Sequence, residues 1–244
     1  MDHHEPAPAT STVTRARALW TELAGFQVEF ASPAGVVVAP GSLLCPPGWA
    51  GVVRIGDTAV VTAPDARGAE AMRDAAGKLS CEELVDPARL RETLSGTAPV
   101  VDVLGPAALC YLERGRDAFV PAPHERVAND DSAPAALLAT VGAADADESG
   151  LAEITSPAFL LRDGGDVVAA AGYVAWPRSV AHMCVLVAPH RRRRGLARLV
   201  ASAAVSHALD AGLLPQWRAR PYASRRVAAG LGFRELGAQL SVRM

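Results

Sequence analysis

The sequence predicts a mixed α/β fold in which a central sheet is flanked by helices. After Pro157 the chain has three short runs of strand character separated by turn residues, followed by a helix–strand–helix–strand order. The longest helical segment, at about 194–211, has apolar residues at helical spacing, which is typical of a helix that covers a sheet. Those residues are Leu196, Leu199, Val200, Ala203, Ala204 and Ala208.

The second half of the chain has the clearer pattern. Its predicted elements are a helix at 134–142, an acidic turn at 145–150, strands at 159–162, 167–176 and 180–187, a helix at 194–211, a strand at 213–219, a helix at 223–231 and a strand at 233–242. Turn residues at 163–166 and 177–179 separate the first three strands. Gly212 ends the long helix, because glycine adopts the left-handed conformation of a helix C-terminus at little cost.

The sequence of the first half of the chain predicts a smaller α/β unit. Its elements are a helix at 13–23, strands at 35–39, 52–55 and 59–62, helices at 66–79 and 86–95, and a strand at 100–104 that Pro106 ends. Gly56 and Asp57 supply the turn of a β-hairpin. The Pro- and Asp-rich stretch at 121–131 marks a boundary. The predicted organisation is a disordered tail at 1–13, an N-terminal domain at 14–125 and a second domain at 126–244.

Composition narrows the class of protein. Half of the residues are hydrophobic and the net charge is −2, which disfavours a general nucleic-acid binder that neutralises phosphates. The four cysteines form no C-x-x-C pair, so they indicate free thiols and no metal site. The polar N-terminus lacks the apolar stretch of a signal peptide, and no segment is long and apolar enough to span a membrane. We therefore expect a cytoplasmic protein that acts without a metal, a membrane or a nucleic acid.

The most informative segment is 185–197, where a strand ends, the chain turns at Pro189 and a helix begins among arginines. The unpaired backbone N–H groups in the first turn of a helix bind anions, with help from the helix dipole. Gly195 and Ala197 leave room for a pyrophosphate to approach the backbone, while Leu196 turns inward and anchors the helix. The arginines add charge-assisted hydrogen bonds to phosphate. The alternative is a solvated basic face at 191–194.

This segment resembles the acyl-CoA motif of the GNAT N-acetyltransferase superfamily, in the residues Arg192-x-x-Gly195-x-Ala197 after a Val-x-Pro strand end. Residues 223–233 resemble the last helix of that superfamily and its Gly-Phe entry into the final strand. The resemblance covers about 130–244 and implies a GNAT-like mixed sheet and acetyl-CoA as co-substrate. It implies that the backbone of Val185, Leu186 and Val187 binds the pantetheine arm. It also implies that the pyrophosphate lies on Arg192, Arg193, Arg194, Gly195, Leu196 and Ala197.

Aminolysis of a thioester needs a neutral amine and a proton for the leaving thiolate. His182 is the candidate base, because it lies on the strand that leads to the motif and histidine titrates near neutral pH. Strand alternation puts His182, Cys184 and Leu186 on one face. A partly buried structural histidine is the alternative.

The residue that protonates the leaving thiolate is harder to assign. Many superfamily members have a tyrosine where this chain has Ala228, and an asparagine often precedes the last helix where this chain has Pro221. Ser224 is then the candidate proton donor to the thiolate, directly or through water. Tyr222 is adjacent to Pro221, but its direction cannot be read from the sequence.

Candidate residues for the acceptor pocket are Tyr173 and Trp176 on the middle strand and Trp217 on the strand across the gap; core positions are the alternative for each. Glu153 could bind a cationic acceptor. The first half lacks an equivalent phosphate motif. It is interpreted as a non-catalytic unit that contributes to the acceptor pocket, either a degenerate second copy of the fold or an unrelated lid or dimerisation domain.

Three functions remain open at this point. The first is an N-acetyltransferase that moves an acetyl group to a small-molecule amine or a peptide by direct attack in a ternary complex. The second is a non-catalytic acyl-CoA sensor or partner-binding protein, motivated by Ala228 and Pro221. The third is a nucleic-acid-binding module using 191–194, which the overall charge opposes. The sequence does not select the acceptor, and a homodimer is compatible with it.

Overall fold

A computed structural model describes residues 11–113, 115–123, 126–130 and 134–244. The helices are α1 (Thr12–Ala24), α2 (Ala66–Lys78), α3 (Pro87–Leu94), α4 (Pro134–Leu138), α5 (Ala143–Ser149), α6 (Leu196–Asp210) and α7 (Tyr222–Gly230). The strands are β1 (Gly35–Val38), β2 (Ala50–Ile55), β3 (Thr58–Ala63), β4 (Asp102–Tyr111), β5 (Ala128–Asn129), β6 (Phe159–Asp163), β7 (Asp166–Trp176), β8 (Val180–Val187), β9 (Leu214–Ala219) and β10 (Arg234–Arg243).

The described strands form one mixed sheet with the order β1-β3-β2-β10-β4-β9-β8-β7-β6-β5. Two neighbouring pairs are parallel, β1 with β3 and β8 with β9, and the others are antiparallel. Helices cover both faces of the sheet, so the predicted fold class, a mixed central sheet flanked by helices, is confirmed. The predicted strands and long helix of the second half are found within one or two residues of the expected bounds.

Two predicted elements near the start of the second half were wrong. The helix at 134–142 is shorter, ending at Leu138, and the acidic turn at 145–150 is the helix α5. Gly142 begins this helix and Gly150, with φ of 61°, ends it in the left-handed conformation. A seven-residue helix is not stable by itself. It forms here because α5 packs on β8 and its carboxylates pair with distant arginines, which local pattern does not reveal.

The strand predicted at 100–104 is also different, because β4 continues through Pro106 to Tyr111. Proline interrupts a strand by removing a ladder donor. Here the register against β10 slips between Leu104 and Ala107, which pair with Ser241 and Gln239, so a bulge accommodates the missing N–H group. The strand gains length because its second half lies between β9 and β10.

The insertion of β4 joins the two halves of the chain. β4 belongs to the first half, yet its neighbours β9 and β10 belong to the second, and β10 also pairs with β2. The predicted boundary near residue 126 therefore separates segments that share one sheet, and residues 124, 125 and 131 of that stretch lie outside the described residues. Of the predicted tail, only 11–13 are described; Ser11 caps α1, which begins at Thr12.

Packing on the second-half sheet positions the site. α6 and α7 cover one face, where Met183, Val185 and Val187 point into the core. α4 and the segment around Leu151 cover the opposite face, where Leu186 is buried. The predicted alternation along β8 is therefore confirmed. No helix in the described residues has both the length and the apolar composition needed to cross a membrane.

Candidate functional site

The central feature of the site is a gap between the parallel strands β8 and β9. The two strands pair only at Val180–Leu214, Ala181–Pro215 and His182–Gln216. Beyond His182, β9 continues against β4 while β8 continues against β7, so the two strands diverge. The edge of β8 that faces β9 has no strand partner from 183 to 187 among the described residues, and can pair with an extended ligand.

The loop that follows β8 presents a row of backbone donors. The N–H groups of residues 193–197 form no hydrogen bond to any described protein acceptor, whereas the amides of Arg192 and Arg198 bond to Pro189 and Gly195. Arg193 and Gly195 have φ of 64° and 77°, the left-handed conformations that turn successive amides toward one side. Gly195 is the N-cap of α6 and offers no side-chain cap, so the positive end of the helix dipole remains open.

A cleft of ≈ 240 Å³ is lined by Arg192, the residue that precedes this row of amides, and we name it cleft A. It is bounded by β8, α5, β9 and the start of α7. Its lining includes Asp145, Val185, Leu186, Val187, Arg192, Trp217, Arg218 and Ser224. Arg192 crosses its mouth, with Nη2 2.6 Å from Asp145 Oδ2 and Nε donating to the Val187 carbonyl at 3.3 Å. The motif arginine is therefore held beside the anion-binding loop.

Ser224 lies in the first turn of α7, inside cleft A. Its Oγ accepts a hydrogen bond of 2.9 Å from the Trp217 indole N–H. Trp217 is buried and packs edge-to-face on Phe233, with ring centroids 5.6 Å apart. Because an indole can only donate, the hydroxyl proton of Ser224 is free to be donated into the cleft.

A second cleft of ≈ 200 Å³, cleft B, lies on the other side of the gap. Clefts A and B share Glu148, Ser149, Met183 and Arg218, and they meet where β8 and β9 separate. Cleft B contains three carboxylates, Asp147, Glu148 and Glu153, together with His182, Cys184, Arg218 and Arg220. An opening between two clefts at a strand gap lets two ligands approach each other end to end.

His182 is held in cleft B by two contacts. Its Nδ1 lies 2.6 Å from Gln216 Oε1, and its ring stacks on Trp176 with centroids 4.0 Å apart and planes at 5°. The amide oxygen requires a proton on Nδ1, which leaves Nε2 as an acceptor. Burial, followed by the positive charge of Arg218, lowers the pKa of His182 from 6.5 to about 4. The imidazole is therefore neutral at pH 7, and the expected titration near neutral pH is wrong.

Cys184 lines the same cleft, but its thiol is not activated. Burial, followed by the nearby charge of Glu153, raises its pKa to about 12. A thiol with so high a pKa holds its proton at neutral pH and is a poor nucleophile.

A third cleft of ≈ 200 Å³, cleft C, is built mainly by the first half of the chain. The segment 43–46, β4 and β10 form its walls, and it shares Arg218 and Arg220 with cleft B. Arg218 thus lines all three clefts. This continuity makes the first half part of the wall next to cleft B.

Sequence-based candidates fall into three groups. His182 and Trp176 line cleft B, whereas Ser224 and Trp217 line cleft A. Tyr173 lines neither, because it lies on the α6 face of β7 with its hydroxyl 3.1 Å from His207 Nδ1. Among the motif residues, Arg194 and Leu196 line a separate cavity with Arg191, and Leu196 also packs on the core beneath α6.

Sequence reasoning missed Gln216, Arg218, Arg220 and the acidic face of α5. Gln216 is fully buried, and its role depends on the register between β8 and β9. A usable signal did exist for Arg218, since it is the one charged residue in the predicted strand at 213–219.

The first half does not repeat the anion-binding loop. Its β2–β3–α2 order matches β7–β8–α6, and β3 has a parallel neighbour as β8 does. At the start of α2, however, Asp65 Oδ1 accepts a hydrogen bond of 2.7 Å from the Gly68 amide. A capping carboxylate fills the place of an anion and repels phosphate. Of these two helix starts, only that of α6 has backbone amides that are free to bind an anion.

Comparison with known proteins agrees with this geometry. Residues 157–238, about a third of the chain, match the family model described as GNAT acetyltransferase. The second half of the chain therefore contains a domain of the GNAT superfamily.

Similar solved structures were also found. A GNAT-family protein from Novosphingobium aromaticivorans is 18% identical, over 59% of this chain and 65% of that one, with a TM-score of 0.46. An acetyltransferase from the GNAT family of Colwellia psychrerythraea is 14% identical, over 59% and 58%, with a TM-score of 0.46. This chain thus covers less than two thirds of either. A tandem GNAT protein from the clavulanic acid biosynthesis pathway is 15% identical over 94% of both chains, with a TM-score of 0.42. No curated protein matches the sequence.

Proposed function

We propose that this protein is an N-acetyltransferase that moves an acetyl group from acetyl-CoA to an amine by direct attack in a ternary complex. The observation that carries the proposal is the row of backbone N–H groups at 193–197, which lies at the open N-terminus of α6 beside cleft A. Unpaired amides at a helix N-terminus are a binding site for phosphate groups.

The residues around this row fit a pyrophosphate and an extended arm. A Cβ atom at Gly195 would meet no atom within 4 Å, so the space in front of the loop is open. Arg192 supplies a guanidinium at the mouth of cleft A, and the unpaired edge of β8 from Val185 to Val187 lines its floor. Acetyl-CoA would supply the thioester, with its reactive end directed along β8 toward the gap.

The proton chemistry divides between the two clefts. In the reaction the amine nitrogen forms a bond to the acetyl carbon as the bond from that carbon to sulfur breaks. His182 Nε2, on the acceptor side, takes the proton that the amine loses. Ser224, on the cofactor side, donates its hydroxyl proton to the departing sulfur and recovers one from solvent. With a pKa of about 4, His182 is a weak base, so the amine must first lose its ammonium proton to solvent.

Direct attack is favoured over an acetylated enzyme because the thiol near the reaction centre is poorly suited to nucleophilic attack. Cys184 is buried in cleft B, and its raised pKa of about 12 keeps it protonated. A covalent route through this residue would need a thiolate. The acceptor amine and the thioester can instead meet through the gap at which clefts A and B join.

Residues of the first half of the chain pack against the residues that hold His182. Trp20 of α1 packs edge-to-face on Trp176, with centroids 5.9 Å apart, and Trp176 stacks on His182. The Trp20 indole donates to the buried Tyr111 hydroxyl at 2.8 Å, which ties α1 to β4. The N-terminal half therefore positions the proposed base and forms most of the wall of cleft C.

The test combines binding with initial-rate kinetics on the full-length protein. Calorimetry with acetyl-CoA and with CoA measures the proposed site, and thiol release across an amine panel measures transfer. We expect binding of both nucleotides and intersecting lines when the two substrates are varied. Parallel lines would contradict direct attack. Binding without thiol release for any amine would favour the acyl-CoA sensor, and absence of binding would refute the proposal.

A further inference from the structure

Arg218 is a guanidinium at the junction of clefts A, B and C. Within the described part of the chain it forms no ion pair, and its hydrogen bonding is limited to Nη1 donating to Gln239 Oε1 at 3.3 Å. Gln239 is itself oriented by donating from Nε2 to the Leu44 carbonyl at 2.5 Å. A guanidinium has five N–H donors. Most of those of Arg218 are therefore available to a ligand.

The other charges in cleft B are distributed unevenly. Arg220 is ion-paired with Glu148, so that pair is internally compensated. Glu153 and Asp147 are exposed and form no ion pair among the residues that the structure describes. Glu153 lies near enough to Arg218 for the two charges to interact, but without contact. A guanidinium and two carboxylates without a contact ion pair in the described part of the chain therefore line the same small cavity, with the neutral imidazole of His182 beside them.

Such an arrangement is complementary to a zwitterion. A carboxylate can form two parallel hydrogen bonds with a guanidinium, and an ammonium group is stabilised by a nearby carboxylate. Building on the function proposed above, we infer that the acceptor is a free amino acid, whose carboxylate binds Arg218 and whose amino group lies on the Glu153 and His182 side of cleft B. Cleft C, which shares Arg218, would receive the side chain of that amino acid.

This assignment distinguishes a free amino acid from two other candidate acceptors, a plain amine and a peptide N-terminus. Neither of those carries a carboxylate beside the reacting nitrogen, so each would leave Arg218 unpaired. Arg218 acts here in acceptor binding and specificity. If it instead stabilised the leaving sulfur from cleft A, its loss would affect every acceptor alike.

The test uses full-length protein, saturating acetyl-CoA and matched acceptors that differ only in the carboxylate. Suitable pairs are alanine with ethylamine, leucine with 3-methylbutylamine and lysine with 1,5-diaminopentane, with thiol release as the readout. For the wild type we expect kcat/KM to be about 30-fold higher for at least one amino acid than for its paired amine, the gain typical of a charge-assisted bidentate contact.

Two variants assign that preference to Arg218. In Arg218→Gln the preference for the amino acid over its paired amine, measured as the ratio of their kcat/KM values, should fall about 30-fold, because the variant removes the partner of the carboxylate. Arg218→Lys should recover part of the loss. Arg67→Gln is the matched control, because it removes the same charge from an exposed position on α2 and should change nothing.

The outcomes are distinguishable. Equal rates for both members of every pair, or an equal loss for all acceptors in Arg218→Gln, would overturn the inference while the proposed acetyltransferase stands. Failure of the wild type to bind acetyl-CoA would refute the proposed function itself. If Arg218→Gln does not fold, Arg218→Lys and the wild-type pairs still decide the question.

Discussion

His182 and Gln216 are the last residues paired between β8 and β9, and their side chains are also joined, Nδ1 to Oε1, at 2.6 Å. The point at which the sheet opens is thus the point at which the imidazole is fixed. One face of the opening belongs to the anion-binding loop and cleft A, and the other to the acidic cleft B. Five predictions follow from this arrangement.

Gly195→Glu should weaken acetyl-CoA binding by about 100-fold or more, because it places a carboxylate in front of the phosphate-binding amides. Gly212→Glu is the matched control at the opposite end of α6. Both glycines have positive φ, 77° and 72°, and both have open space at the Cβ position, so backbone strain is comparable. Calorimetry should show near wild-type affinity for the control. Equal affinity in the two variants would place the phosphate elsewhere.

His182→Gln should lower kcat about 100-fold, the contribution typical of a positioned base. Because the pKa of His182 is about 4, the imidazole is already neutral above pH 6, and the loss should be the same at every pH from 6 to 9. Thiol-release rates across that range measure it. A loss that shrinks steadily from pH 6 to 8 would show that His182 titrates near neutrality instead.

Ser224→Ala should lower kcat about tenfold or more by removing the proton donor to sulfur, with acetyl-CoA affinity unchanged. Trp217→Phe should have a smaller effect, because it removes the indole that orients Ser224 but keeps the hydroxyl. Ser206→Ala, at a partly buried position on α6, is the control. Single-turnover thiol release isolates the chemical step. An unchanged rate in Ser224→Ala would mean that solvent, and not Ser224, protonates the leaving sulfur.

Acid should destabilise the protein in part through His182. Between pH 6.5 and about 4 the unfolded chain binds a proton at this residue and the folded chain does not, so the free energy of unfolding decreases as pH falls through that window. His182→Gln should therefore lose about 2 kcal/mol less than the wild type over the window, allowing for the partly exposed ring. Urea titrations at pH 7 and 4 measure this difference.

Trp20→Phe should lower the free energy of unfolding by about 2 kcal/mol, since it leaves the buried Tyr111 hydroxyl without the indole donor at 2.8 Å. It should also lower kcat, because Trp20 supports Trp176 behind His182. Tyr111→Phe is the comparison variant, because it removes the hydroxyl group that needs the indole donor and keeps the ring. If Trp20→Phe turned over at the wild-type rate, α1 would not contribute to the activity of the site.

The local sequence pattern was sufficient to predict those elements whose signals lie within a few residues of one another. The period-2 run of β8, the apolar stripe of α6 and the Gly212 stop are such signals, and their predicted bounds are confirmed within two residues. The loop at 192–197 was equally visible, because a glycine at a helix start and free amides are properties of one short segment; its binding of an anion stays a prediction. The helix α5 was missed because its stability depends on partners far along the chain, such as Arg192 with Asp145.

By itself, then, the sequence determined the order of strands and helices from residue 159 onward and the loop at 192–197, because both depend on interactions between near neighbours. Only the tertiary structure decided that β4 of the first half lies between β9 and β10, since pairing between strands is set by packing across the whole sheet. The same is true of the lowered pKa of His182 and of the unpaired Arg218. Burial and charge at one point depend on residues that the fold, and not the sequence order, brings together.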